Sequence, residues 1–361
     1  MLREINLKSE IIKGLIETSG FDKEEISKKS RISLKSLDEG KLTIPQLKRL
    51  AKVLKRPIAA FFSDEIPELP KIQDYRLNRE KRINPKIFEA QREIIYLIKK
   101  LKEMGIEKSV IPTFKSTVSP FQLAKEFRDY LGIEGIKNQK PNVVLSKYKE
   151  IIEDKLKFII VEYPLKSKET DDVRGFSSIY SEIASIVLNE NDHPSVKLFS
   201  LFHEVCHLLR KNSGICSLEY EVEEKYKEES FCNKFAAEFL VPSDDIKKEL
   251  QNYPIPEETF LETVKVLSKI FAVSKQVILL RLLYLKHLSI EKYYSLKAKL
   301  EEKEIKQQFG KRNWEEVFKN RVGNLTIKEV KKRLQENKLS FYEALNILNI
   351  KTKYAEKFLY E

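Results

Sequence analysis

The chain has 361 residues, enough for two or three domains and a sizeable buried core. Apolar residues make up 42% and charged residues 34%, a balance that excludes both a disordered chain and a membrane-embedded one. The net charge of +12 is uneven: residues 1–56 hold 14 Lys/Arg against 8 Asp/Glu, residues 290–361 hold 17 against 11, and the stretch between is balanced at 36 of each. A basic surplus at both ends points to anionic partners there, duplex DNA first.

From Ser9 to Phe62 the pattern is short and helical throughout. It predicts an opening helix, a helix over Lys23 to Ser30, a turn at Arg31-Ile32-Ser33, a helix over Leu34 to Glu39, and a stop at Gly40. Ile26, Ile32, Leu37, Leu47, Leu50 and Leu54 recur at helical spacing and suit one small core with a helix-turn-helix shape. Asp64 to Tyr75, with Pro67 and Pro70, reads as a linker, followed by a long helix over roughly Pro85 to Lys102. Pro112 to Pro120 reads as a loop and Phe121 to Leu131 as an amphipathic helix. Lys157 to Glu162 and Ile183 to Leu188 are short β-branched runs that suit strands, and the second is expected to pair, as an edge strand, with an extended substrate. Helices then continue to the end, including a helix-turn-helix rhythm within Thr326 to Leu359, a segment expected to pack on the rest or meet a partner.

The expected fold class is α+β and mainly helical: a helix-turn-helix bundle over 1–62, a linker and connecting helix over 63–114, a mixed domain with a small sheet over 115–289, and a helical domain over 290–361. The longest apolar stretch, Val277 to Leu285, is broken by Arg281 and too short to span a bilayer. With no apolar segment in MLREINLKSE, the expected location is the cytoplasm, and Cys206, Cys216 and Cys232 are expected to be reduced thiols.

The chemistry concentrates in Val196 to Leu209, VKLFSLFHEVCHLL. His203 and His207 are four residues apart, so a helix sets them on one face about 6 Å apart at Cβ, where two imidazoles can grip one zinc ion. Glu204 is beside the first histidine and is placed to take a proton from a metal-activated water. A catalytic zinc needs a third protein ligand and an open position. The next apolar helix, KEESFCNKFAAEFLVP over Lys227 to Pro242, offers Glu229 on one stripe with Asn233 and Ala236 or Ala237. Glu228 competes from one position away, and Glu238, further along, is a candidate to support the ligands from outside. His193 and His287 lie outside both motifs and read as surface or structural residues.

HEVCHLL followed by ExxxNxFAAEFLxP resembles the ImmA/IrrE family of metallopeptidases, whose helix with HExxH is followed by one of the form ExxxNxFAAxLLxP. Arg174 to Ser178 and the strand ending in Leu188-Asn189 resemble the family's lead-in to the active-site helix. Arg56 to Phe62 and Ile72 to Arg76 resemble the junction in members that carry an amino-terminal helix-turn-helix of the XRE type. The resemblance implies a zincin-like domain with a His203, His207 and Glu229 metal set. It also implies a protein substrate, a repressor or antitoxin encoded nearby. Cys206 departs from the family's usual small residue, and Leu37-Asp38-Glu39-Gly40 from the XRE pattern Trp-Glu-x-Gly. The XRE resemblance makes Ser33, Lys35, Ser36 and Lys41 the candidate DNA contacts. The rival function is a DNA-binding regulator or antitoxin with a non-catalytic metal site.

Overall fold

The computed structural model describes residues 4–65, 69, 84–115, 117–165, 173–210, 215–217, 227–253, 260–304 and 313–360. The fold is α+β and mainly helical, and it divides into two compact units. The first comprises 1–71, 77–96 and 165–171, and the second 72–76, 97–164 and 172–361. Most of the expected linker over 64–75 lies outside the described residues.

The first unit runs β1 (Glu4–Asn6), α1 (Ser9–Glu17), α2 (Lys23–Ser30), α3 (Leu34–Glu39), β2 (Lys41–Thr43), α4 (Ile44–Leu54) and a 3-10 turn over Ile58–Phe62. The boundaries follow from local chemistry. Arg31 in the left-handed conformation ends α2, the Ser33 hydroxyl accepts the Ser36 N–H to open α3, and Thr43 with Gln46 forms a reciprocal cap on α4. Gly40 at φ +70 has its backbone so close to the Leu7 carbonyl that a Cβ would stand 2.2 Å from that oxygen. All six apolar residues expected to share a core do so. The expectation of helix throughout is corrected at Lys41 to Thr43, where Leu42 is buried and pairs with Ile5 in a two-stranded antiparallel ribbon.

The connecting helix α5 (Pro85–Glu103) leads into the second unit. There follow α6 (Pro120–Leu131), α7 (Pro141–Leu156), β3 (Ile159–Tyr163), β4 (Val173–Tyr180), β5 (Ile183–Asn189), α8 (Pro194–Leu209), β6 (Ile215–Ser217), α9 (Lys227–Leu240), α10 (Ser243–Asn252), α11 (Phe260–Ile270) and α12 (Lys275–Tyr284). The chain continues through α13 (Ile290–Glu304), α14 (Trp314–Val322), α15 (Asn324–Gln335), α16 (Phe341–Leu348) and α17 (Thr352–Tyr360). Lys157 caps α7 in the left-handed conformation, which starts β3 two residues later than the apolar run suggests.

The sheet order is β3-β5-β4-β6, with β3 parallel to β5 and β4 antiparallel to both its neighbours. This overturns the expected edge-strand role of Ile183 to Leu188: β5 is paired on both sides, so its backbone groups are already used. One face carries Ile160, Ala184, Ile186 and Leu188 into a core shared with α6, α7, α8 and α9. The outer edge of β3 is covered by the α14–α15 corner, where Gly323 comes so close that a Cβ would lie 3.1 Å from the Ile160 carbonyl oxygen.

Candidate metal centre

Helix α8 starts at Pro194 behind His193, whose Nδ1 accepts the Ser195 N–H, so His193 acts as a helix cap. His287 is exposed. From Leu198 to Leu208 every residue of α8 is buried, which fixes its rotation against β4, β5, α7 and α9. Helix α9 packs on it through small and flat side chains: Ala236 and Ala237 are fully buried, and Phe202 stacks on Phe239 with centroids 3.8 Å apart. The far end of α9 is pinned by Glu238, which accepts from Arg281 at 2.6 Å and from the Ser243 N–H and hydroxyl at 2.8 Å each. Glu238 is therefore a clamp between α9, α10 and α12, which corrects the expectation that it supports the metal ligands.

This packing brings His203, His207 and Glu229 together in the interior. The two histidine Nε2 atoms are 3.0 Å apart, and the Glu229 oxygens lie 3.2 Å from His203 Nε2 and 3.3 Å from His207 Nε2. Ligands of a tetrahedral zinc at about 2.0–2.1 Å stand about 3.3–3.4 Å from one another, so one ion fits among these three groups. His203 Nδ1 donates to Asn233 Oδ1 at 2.9 Å, which puts the proton on that nitrogen and turns a lone pair on Nε2 toward Glu229. Two imidazoles and one carboxylate form the donor set of a catalytic zinc that keeps an open position. Burial opposes charge on His207, but its neighbours Cys232, Glu229 and Glu204 outweigh it and hold its imidazole above the ordinary range.

Glu204 is fully buried on the next position of α8. Strand β4 passes it at Gly175, where an added Cβ would stand 3.8 Å from Glu204 Cγ and only 2.8 Å from the Val187 carbonyl oxygen. Glu228 turns instead to Arg210, with contacts of 2.6 and 2.9 Å, although its carboxylate also lies within 4.8 Å of His207 and Cys232. Sequence reasoning missed the roles of Asn233 and Gly175. The ExxxN spacing signals the first, since Asn233 is one turn along α9 from Glu229.

The four candidate DNA contacts sit together around α3. Ser33 and Ser36 hydroxyls lie 2.8 Å apart, and Lys35 and Lys41 both face Glu39, at 3.8 and 3.3 Å. Their charges are exposed and partly offset within the unit.

Residues 154–283 match the family model of the IrrE N-terminal-like domain, Peptidase_M78. That span holds all four residues of the candidate metal centre and leaves both ends of the chain outside it. The match supports a metallopeptidase of the ImmA/IrrE type, and with it a metal and a protein substrate. A comparison with curated proteins finds no match. Among the described residues no helix is long and apolar enough to cross a membrane.

Proposed function

We propose that this chain is a zinc-dependent endopeptidase that regulates transcription by cleaving a partner protein, a helix-turn-helix repressor. The observation that carries the enzymatic part is the convergence of His203, His207 and Glu229 within 3.0 to 3.3 Å, beside a buried Glu204 that is not one of the three. A purely structural zinc is closed by four ligands and has no use for an acid–base group at its side. The choice of a repressor as substrate rests on the ImmA/IrrE resemblance alone.

His203, His207 and Glu229 would hold a zinc ion, which when bound would supply Lewis acidity for a scissile carbonyl and a water. Glu204 accepts the proton of the attacking water and delivers it to the leaving amine. Asn233 keeps His203 in the tautomer that presents Nε2 to the site. The apolar packing of α8 against α9 keeps the pair in one geometry and raises the strength of every charge interaction inside.

The test compares wild type with Glu204→Gln, each co-expressed with the repressor encoded beside it. Wild type yields a cut product, while the variant holds the same zinc and cleaves at least about a thousandfold more slowly. Equal cleavage by the two would make the hydrolytic mechanism wrong.

A further inference from the structure

The groups of the candidate centre are closed off from water: His203, Glu204 and His207 are 0% exposed and Glu229 is 1% exposed. A peptide bond is cut there only when a stretch of another chain reaches the same groups. An extended stretch adds most readily to a strand edge, where its main-chain N–H and C=O groups find partners. A folded helix has those groups already in use.

Strand β4 carries the edge beside the centre. Gly175 passes Glu204, with an added Cβ 3.8 Å from its Cγ. One side of β4 is paired with β5. The other side is paired antiparallel with β6 along residues 173–176, with Cys216 opposite Gly175. The same short strand lies against α8. β6 is therefore a partner of β4 at the level of Glu204 and a neighbour of the helix with both histidines. It has three residues, so few main-chain hydrogen bonds hold it there, each worth about 1 kcal/mol net.

We infer that β6 stands in the place of the substrate: an extended segment of the partner protein displaces it from residues 173–176 of β4, and until then β6 keeps the centre shut. The inference rests on the endopeptidase reading above. It gives that reading a form of substrate, an extended segment rather than a folded helix, and a resting state in which the chain occupies its own cleft.

The experiment joins the two strands. Val173 and Ser217 are opposite partners in the ladder, and opposite Cα atoms of an antiparallel pair stand about 4.5–5.5 Å apart, within reach of a disulfide. The full chain with Val173→Cys and Ser217→Cys is loaded with zinc, oxidised with glutathione disulfide, and compared with itself after reduction. Two rates are read: cleavage of the repressor encoded beside it, and loss of zinc to EDTA. The oxidised form should release zinc about tenfold more slowly and cut at least about a hundredfold more slowly, because the competent fraction is held near zero, and reductant should restore both rates. Cys216→Pro weakens the pairing of β6 and should raise both rates about fivefold. Equal cleavage by the oxidised and reduced forms overturns the inference, since β6 would then stay in place during catalysis. So does the same slowing in Ser217→Cys alone under the same oxidant, which would trace the effect to the chain's own thiols. If no cross-link forms, Cys216→Pro decides, and unchanged rates there overturn the inference. Zinc-loaded wild type that cuts nothing would sink the endopeptidase reading, and the EDTA rates would then decide on β6 by themselves.

Discussion

Two of the charged clusters buried in the second unit are built on opposite plans. On the sheet side, Glu162 of β3 sits between Lys149 and Lys197, at 2.5 Å from each, and Lys149 reaches Asn320 at 3.2 Å. Burial would raise the Glu162 carboxyl, yet the two lysines hold it below its usual range. On the helix side, the buried Glu229 faces two imidazoles whose Nε2 atoms converge on it. The chain supplies its own cations to the first carboxylate, and to the second it supplies two imidazoles with the donor set to share one. A closed cluster of the first kind stabilises a fold; one of the second kind points to a ligand.

The largest effect that would break this contrast is on metal binding. Glu229→Ala should lower zinc affinity about a thousandfold or more, since a structural or catalytic site draws several kcal/mol from each ligand. Metal analysis after dialysis measures it, and undiminished zinc would transfer the ligand role to Glu228. Next comes Glu162→Ala, which strands two buried lysines and should cost about 3 kcal/mol or more in denaturant unfolding, whether or not zinc is present. A cost below about 1 kcal/mol would show that the lysines reach water, and would remove the sense in which the first cluster is closed.

A smaller effect sharpens the comparison at a third carboxylate. Glu153 is buried, accepts from the Leu325 N–H at 3.3 Å and the Asn324 amide at 3.2 Å, and is pushed up to about 7, chiefly by burial and against the pull of Lys149. An acid whose folded pKa is raised binds its proton more tightly in the folded state, so its protonation favours folding. Stability is then highest below the unfolded value near 4.5 and falls as pH rises toward 7, by about 3 kcal/mol in all. Glu153→Gln should flatten that slope, a difference readable in melting curves between pH 4.5 and 8. An unchanged slope would mean that Glu153 is already ionised alongside Lys149.

The smallest effect concerns charges that are not buried at all. We propose that the first unit binds duplex DNA, with affinity that falls steeply between 50 and 200 mM salt. Lys35→Ala and Lys41→Ala should each lower the salt slope by about one in gel shifts. Binding that ignores salt, or no binding, would leave that unit as a protein-recognition surface.

Much of the candidate site can be read locally. His203, Glu204 and His207 are fixed by one helix, and Glu229 with Asn233 by another, so spacing alone puts each set on a face. The helix ends in the first unit are also local, because Ser33, Thr43 and Gly40 act on neighbours three residues away or fewer, or through their own backbone. Long-range pairings have no such signature. Strand β4, VRGFSSIY, is buried over Gly175 to Ser178 and does not alternate, so its pattern gives no period to detect. The central place of β5 depends on partners on both sides, and the roles of Glu238 and Glu162 depend on Arg281 and Lys197, 43 and 35 residues away.

The corner between α14 and α15 has a consequence for how the chain is made. Gly323 sits against the Ile160 carbonyl at the rim of β3, and the Glu153 carboxylate takes the Leu325 N–H at the start of α15. During synthesis, β3 is complete more than 150 residues before that corner leaves the ribosome. For that interval the strand rim stays uncovered, open to pairing with other chains and to a chaperone that binds bare strands. The helices of the candidate metal centre, α8 and α9, emerge well before the rim of their sheet is covered.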